Sequence, residues 1–101
     1  MFSLKNKTVF LTGSTGGIGK EIALQMSSLG AKMIITGTNE GKLRDLSNKL
    51  PNENDYIVSN LDNSQNIEIL SNQLSEKGYL IDILVNNAGI TKDNLFLRMK
   101  E

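Results

Sequence analysis

Short β-branched runs alternating with helical patterns predict an α/β fold, a doubly wound parallel sheet with helices on both faces. Three observations carry this. Four runs, Thr8–Leu11, Met33–Thr36, Tyr56–Ser59 and Ile81–Val85, are rich in β-branched or aromatic residues, as covered strands are. The segments between them place apolar residues at helical spacing. A glycine-rich stretch joins the first strand to the first helix.

The elements follow in order. After the first strand, Ile18, Ile22, Met26 and Leu29 fall at near-helical spacing and predict an apolar helix face, with Gly30 as its stop. Leu43, Leu46 and Leu50 form the second helical pattern, ended by Pro51. Ile67, Leu70 and Leu74 form the third, introduced by the capping candidates Asp62, Asn63 and Ser64 and closed by Gly78. The loop Asn86-Asn-Ala-Gly89 follows the fourth strand, and Leu95-Phe-Leu97 with Met99 opens a further helical pattern. The expectation is a β-α-β-α-β-α-β order plus the start of another helix, an incomplete sheet of about four strands with right-handed crossovers.

The chain has 101 residues, and its 11 basic side chains balance 11 acidic ones. No global field therefore favours nucleic acid or an anionic membrane. No segment reaches the length of a membrane span, and Met1–Lys7 lacks a signal-peptide core, so a cytoplasmic protein is expected. Cysteine is absent, which excludes disulfides and thiol chemistry. Histidine is absent too, removing the commonest general base and zinc ligand, and no metal site is expected. Acid–base chemistry here would need a carboxylate, Tyr or Lys. Repeats and linkers are absent, so one domain is expected.

The stretch Thr12-Gly-Ser-Thr-Gly-Gly-Ile-Gly19 carries the functional signal. A helix N-terminus offers unpaired N–H groups and the positive dipole end, and so suits a pyrophosphate. Glycines at 13, 17 and 19 would let backbone approach that ligand. A P-loop would need glycine at Ser14 and a hydroxyl at Glu21, so that form fails twice. The G-x-G-x-x-G spacing fails because Gly17-Ile-Gly19 is followed three residues on by Ile22. The spacing T-G-x-x-x-G-x-G fits at every position. A bland alternative is a tight turn without a ligand, yet such a turn needs one or two glycines rather than four.

That spacing, with Asn86-Asn-Ala-Gly89 after the fourth strand, resembles the short-chain dehydrogenase/reductase family. The tail Gly89–Lys100 is similar to the corresponding segment of bacterial 3-oxoacyl-[acyl-carrier-protein] reductases within it. The resemblance spans this chain and the N-terminal part of a family member. It implies a single Rossmann-type dinucleotide-binding domain, with residues 1–101 as its N-terminal part and the catalytic part beyond them. It also implies NADPH-dependent reduction of a 3-ketoacyl thioester in fatty acid biosynthesis, an acyl-carrier-protein thioester as partner, and homo-oligomers among full-length relatives. By the same resemblance, cofactor contacts fall on Gly13, Ser14, Thr15, Gly16, Ile18, Thr38, Asn60, Leu61, Asn87, Ala88 and Gly89. Asn87 has an equal reading as a brace for the sheet, and Asp62 reads as a helix cap.

The cofactor's phosphate can be read more closely. A carboxylate closing the second strand would accept from the ribose hydroxyls and repel a 2′-phosphate. That strand ends Ile35-Thr-Gly-Thr38-Asn39 without one, and Lys42 and Arg44 lie close by, which favours NADP(H) over NAD(H). Glu40 two residues on, and Gly16 where many members carry arginine, count against it. Lys42 and Arg44 also read as a solvated helix face.

In the family a tyrosine donates the proton, its pKa lowered by a lysine four residues later on the same helix face. Here Tyr56 is followed at that spacing by Asn60 and Tyr79 by Ile83, so no catalytic residue is expected within the chain. The family's serine, tyrosine, lysine and asparagine would lie beyond Glu101. The segment alone is expected to be inactive, with an exposed edge at the fourth strand and an unpacked patch at Leu95, Phe96, Leu97 and Met99. A non-catalytic nucleotide-binding module and a degraded-gene relic remain as alternative readings.

Overall fold

The computed structural model describes residues 2–60 and 64–87. Its elements are β1 (Thr8–Thr12), α1 (Gly17–Ser28), β2 (Lys32–Gly37), α2 (Glu40–Lys49), β3 (Asn54–Val58), α3 (Ser64–Glu76) and β4 (Ile83–Asn86). The four strands form one parallel sheet in the order β3-β2-β1-β4. The predicted tail pattern and the caps Asp62 and Asn63 lie outside the described residues.

Alternation along the strands divides the apolar side chains between two faces. Val9 and Leu11 of β1 join Met33 and Ile35 of β2 in a core closed by Ala23 of α1 and Leu43 and Leu46 of α2. Phe10, Ile34 and Ile57 point the other way and meet Ile67, Leu70 and Leu74 of α3. Helices therefore cover both faces, and the doubly wound parallel fold is as expected. The buried residues of α2 and α3 are those that the leucine and isoleucine spacing picks out.

Three local expectations are corrected. The face of α1 buried most deeply is Gly19, Ala23 and Ser27, whereas Ile18 is 72% exposed. Small residues at i, i+4 and i+8 bring the helix backbone close to the sheet. Ile22 and Met26 flank that seam, partly buried. β3 begins at Asn54, two residues before the predicted start, because its pairing with β2 begins there: Met33 N–H donates to Glu53 O at 3.2 Å. β4 is shifted towards Asn86 because β1 extends to Thr12 and the two strands end in register, Thr12 opposite Asn86.

Helix ends follow the local chemistry. The side chain of Asn39 accepts from Lys42 N–H at 3.1 Å, and Glu40 sits in the first turn of α2, so that N-terminus is capped and its dipole complemented. Gly30 and Gly78 follow α1 and α3 with φ of 103° and 74°, the left-handed geometry of helix stops.

A polar cluster ties the connection after α3 to β3. The Tyr79 hydroxyl donates to the Asp55 carboxylate, and the Lys77 ammonium lies 3.4 Å from the same oxygen. The Lys32 ammonium stands 4.9 Å from the centre of the Tyr79 ring and pairs with Glu53 at 3.1 Å. Burial raises the Asp55 pKa, but the hydrogen bonds from Tyr79 and Tyr56 and the Lys77 charge outweigh it, leaving it below the ordinary 3.8. Burial, then the hydrogen bond to Asp55, then the Asp55 and Glu53 charges, push the Tyr79 phenol up to about 12.

The signs of linkage follow. The Asp55 contribution to stability is full above 3.8 and is lost as pH falls through its lowered value. The Tyr79 contribution is full below 10 and is lost as pH rises towards 12. Ultraviolet titration of the phenols is expected to show a step near 12 that Tyr79→Phe removes. Phe10 is fully buried between β1 and α3, so Phe10→Ala is expected to cost about 3–5 kcal/mol in denaturant unfolding.

Candidate functional site

The connections from β1 and β4 leave the sheet at its carboxyl edge. α1 carries the chain from β1 to β2 on one side, whereas α3 delivers it to β4 on the other. A crevice opens where strand order reverses in this way, and ligands of open α/β sheets bind there.

Hydrogen bonds fix both walls of this crevice. Thr12, fully buried, donates through Oγ1 to Asn86 Oδ1 at 3.1 Å and accepts from Asn87 N–H at 2.9 Å. The Asn87 side-chain amide donates to Gly13 O at 3.2 Å. The turn after β1 is thereby locked to the loop after β4. On the other side, Ser14 Oγ donates to Leu11 O at 2.9 Å and accepts from Thr36 N–H at 3.2 Å. Ser14 N–H donates to Thr36 O at 3.1 Å. Ser14 thus continues the pairing with β2 after the chain has left the strand.

The glycines divide by role. Gly13 has φ of 65°, a turn geometry that disfavours other residues. A Cβ on Gly19 would lie 2.0 Å from Gly13 O, so that glycine serves the packing of α1 against the turn. A Cβ on Gly17 would meet nothing within 4 Å. No protein contact requires its small size, and the space above it is open. Gly16 is the N-cap of α1, with no side-chain cap and no acidic residue in the first turn. The contrast with α2, capped by Asn39 and followed by Glu40, is direct. The N-terminus of α1 presents its dipole to the crevice without a carboxylate to occupy it.

The remaining predicted residues take distinct places. Thr15 is half-buried against the end of β2, where a Cβ on Gly37 would come 3.4 Å from its Oγ1. Ile18 is exposed in the first turn of α1. Thr38 and Asn60 are brought together in a groove of about 390 Å³, completed by Val58, Ser59, Asn66, Ile69 and Gln73. Ser14 Oγ donates to Leu11 O, and the Asn87 side-chain amide donates to Gly13 O, so both side chains are tied to the turn and strand. Leu61, Ala88 and Gly89 lie outside the described residues. Lys42 and Arg44 are exposed on α2, and Glu40 accepts from the Tyr56 hydroxyl at 3.3 Å. The roles of Thr12 and of the Asn39 cap emerge only from the structure. An Asn directly before a helical run was a usable signal for the cap, whereas nothing local marked the reach of Thr12 to β4.

No helix among the described residues is long and apolar enough to cross a membrane. The short chain dehydrogenase family profile matches residues 7–101. The chain is 45% identical over 100 residues to the 3-oxoacyl-[acyl-carrier-protein] reductase FabG of Rickettsia bellii, covering 99% of this chain and 40% of that protein. Among solved structures it is similar to a Pseudomonas aeruginosa RhlG/NADP active-site complex, with a TM-score of 0.81 and 30% identity over 89% of this chain and 37% of that one. A metagenomic short-chain oxidoreductase in complex with NADP matches with a TM-score of 0.79 and 30% identity, over 86% of this chain and 41% of that one. The chain spans about two fifths of the length of the curated relatives it matches. Strand order, glycine turn and family profile agree, and the chain belongs to the short-chain dehydrogenase family.

Proposed function

We propose that residues 1–101 form the N-terminal part of a single dinucleotide-binding domain in a cytoplasmic, NADPH-dependent 3-oxoacyl-[acyl-carrier-protein] reductase of fatty acid biosynthesis. The observation that carries the nucleotide reading is the uncapped, acid-free N-terminus of α1 beneath Gly17, whose small size no protein contact requires. The substrate reading, an acyl-carrier-protein thioester, follows from the names of the relatives at 40–46% identity.

In this reading the Gly13–Gly19 turn and the first turn of α1 hold the pyrophosphate through backbone N–H groups. Thr38, exposed after β2 with no carboxylate closing the strand, receives the 2′-phosphate. Asn60 and Leu61 take the adenine side, and Asn87, Ala88 and Gly89 line the cofactor from the β4 side. The bound nicotinamide supplies a hydride for the substrate carbonyl. The chain's own contribution is to position that cofactor on walls already fixed by the Thr12–Asn87 and Ser14–Thr36 bonds, which lowers the ordering cost of binding. Neither Tyr56 nor Tyr79 is assigned the proton. The hydroxyl of Tyr56 meets Glu40, and that of Tyr79 meets Asp55 near the opposite ends of the strands.

Calorimetry on the full chain tests the cofactor. NADPH is expected to bind at least about tenfold, or 1.4 kcal/mol, more tightly than NADH, with 2′-phospho-ADP competing. No heat with either dinucleotide would sink the reading. Two glycine variants separate ligand from packing. Gly17→Val is expected to keep fold stability within about 1 kcal/mol while weakening NADPH at least about tenfold. Gly19→Ala is expected to lose about 1–3 kcal/mol of stability, because its Cβ would press on Gly13 O. Unchanged NADPH affinity in folded Gly17→Val would reject the phosphate assignment.

A further inference from the structure

β3 is the outer strand on one side of the described sheet. Along a strand, backbone groups point alternately to either neighbour. Met33 N–H reaches Glu53 O at 3.2 Å and Ser59 N–H reaches Gly37 O at 2.9 Å, so the odd-numbered residues here face β2. The N–H of Tyr56 therefore faces the open side. It is occupied: Asp55 Oδ1 accepts it at 2.8 Å. The other carboxylate oxygen accepts the Tyr79 hydroxyl and the Lys77 ammonium. One carboxylate thus fills an outward donor of β3 and tethers the chain that follows α3.

The edge so covered is suited to pairing. Tyr56, Ile57 and Val58 favour β-structure, and Val58 is 45% exposed beside Ile69, itself 50% exposed. An outer strand with apolar neighbours becomes a template for another strand wherever its outward donors are unfilled. The available strand of matching length and pattern is β3 of a second copy, since a strand paired with itself across a two-fold axis is self-complementary.

We propose that Asp55 guards the β3 edge, its carboxylate closing that edge against β3 of a second copy of this chain. The groups facing Asp55 are Tyr56 N–H on its own strand and Lys77 and Tyr79 from the connection after α3. Lys32 and Glu53 face Tyr79 instead, the first over its ring and the second through its charge. Tyr79 supports the guard by holding the carboxylate in place.

Amide hydrogen exchange and sedimentation over a concentration series, both on the full chain, test this. In Asp55→Ala the Tyr56 amide is expected to exchange about tenfold faster, with association beyond the wild-type assembly state appearing as concentration rises. Asp55→Asn keeps an acceptor oxygen for Tyr56 N–H and is expected to fall between Ala and wild type. A folded Asp55→Ala with wild-type exchange at Tyr56, or with the wild-type assembly state at every concentration, overturns the proposal. Should Asp55→Ala fail to fold, Tyr79→Phe decides. About threefold faster exchange at Tyr56 is expected, and an unchanged rate overturns the assignment.

Discussion

The structure depends on how the central strand β1 ends. A parallel strand at a switch point must release its chain into a helix on one face while its neighbours remain paired on both sides. Thr12 and Ser14 solve this with two hydroxyls, one reaching Asn86 at the end of β4 and Asn87 just after it, the other bonding Leu11 and Thr36 towards β2. Both residues are fully buried, where an unmatched hydroxyl would cost about 1–3 kcal/mol. The bonds therefore discriminate strongly between this turn and any competing one. They also help explain why the turn presents backbone to the crevice: the hydroxyls of Thr12 and Ser14 are already committed inward.

The path of α1 follows from that turn. Gly19 admits Gly13 O to the space a Cβ would fill, and the next two turns of the helix continue the close approach through Ala23 and Ser27. Ser27 in turn accepts the N–H of Asn52 at 3.1 Å, joining the far end of the helix to the start of the β3 segment. A helix seated on small residues buries less apolar area per turn than one seated on leucines. The compensation is in position, since its N-terminus is held at the mouth of the crevice. α2 uses Leu43 and Leu46 instead, and its N-terminus is capped by the side chain of the preceding Asn39.

Much of this was legible in the sequence, and the failures have physical causes. The leucine pattern of α2 and the isoleucine and leucine pattern of α3 gave the buried faces correctly because those helices pack by apolar bulk. The same rule misread α1, where Ile18 and Leu29 are exposed and a glycine, an alanine and a serine face the sheet. Close packing of small residues leaves no hydrophobic signature. The start of β3 escaped because Asn54 and Asp55 are poor strand formers, placed by pairing with β2 and by side-chain bonds rather than by propensity. At the site, the glycine spacing located the turn but not the separate duties of its glycines. The Thr12–Asn87 bond joins residues 75 positions apart, and no local pattern encodes it.

The two ends of the sheet carry different burdens. At the carboxyl ends, backbone donors of α1 are left uncapped and polar side chains turn inward, an arrangement that is costly without an anion and favourable with one. Towards the amino ends, Lys32 pairs with Glu53 and Lys77 with Asp55, which also accepts the Tyr79 hydroxyl, so the charges of this cluster balance. Exposed ion pairs contribute only about 0–1 kcal/mol each, so the cluster's value lies in what it orders. It fixes the chain between α3 and β4, and β4 in turn supplies Asn86 and Asn87 to the lock on Thr12. Loosening that connection would reach the glycine turn through β4 and the Asn87–Gly13 bond. The site is thus built locally by its turn but held in register by residues at the opposite end of the sheet.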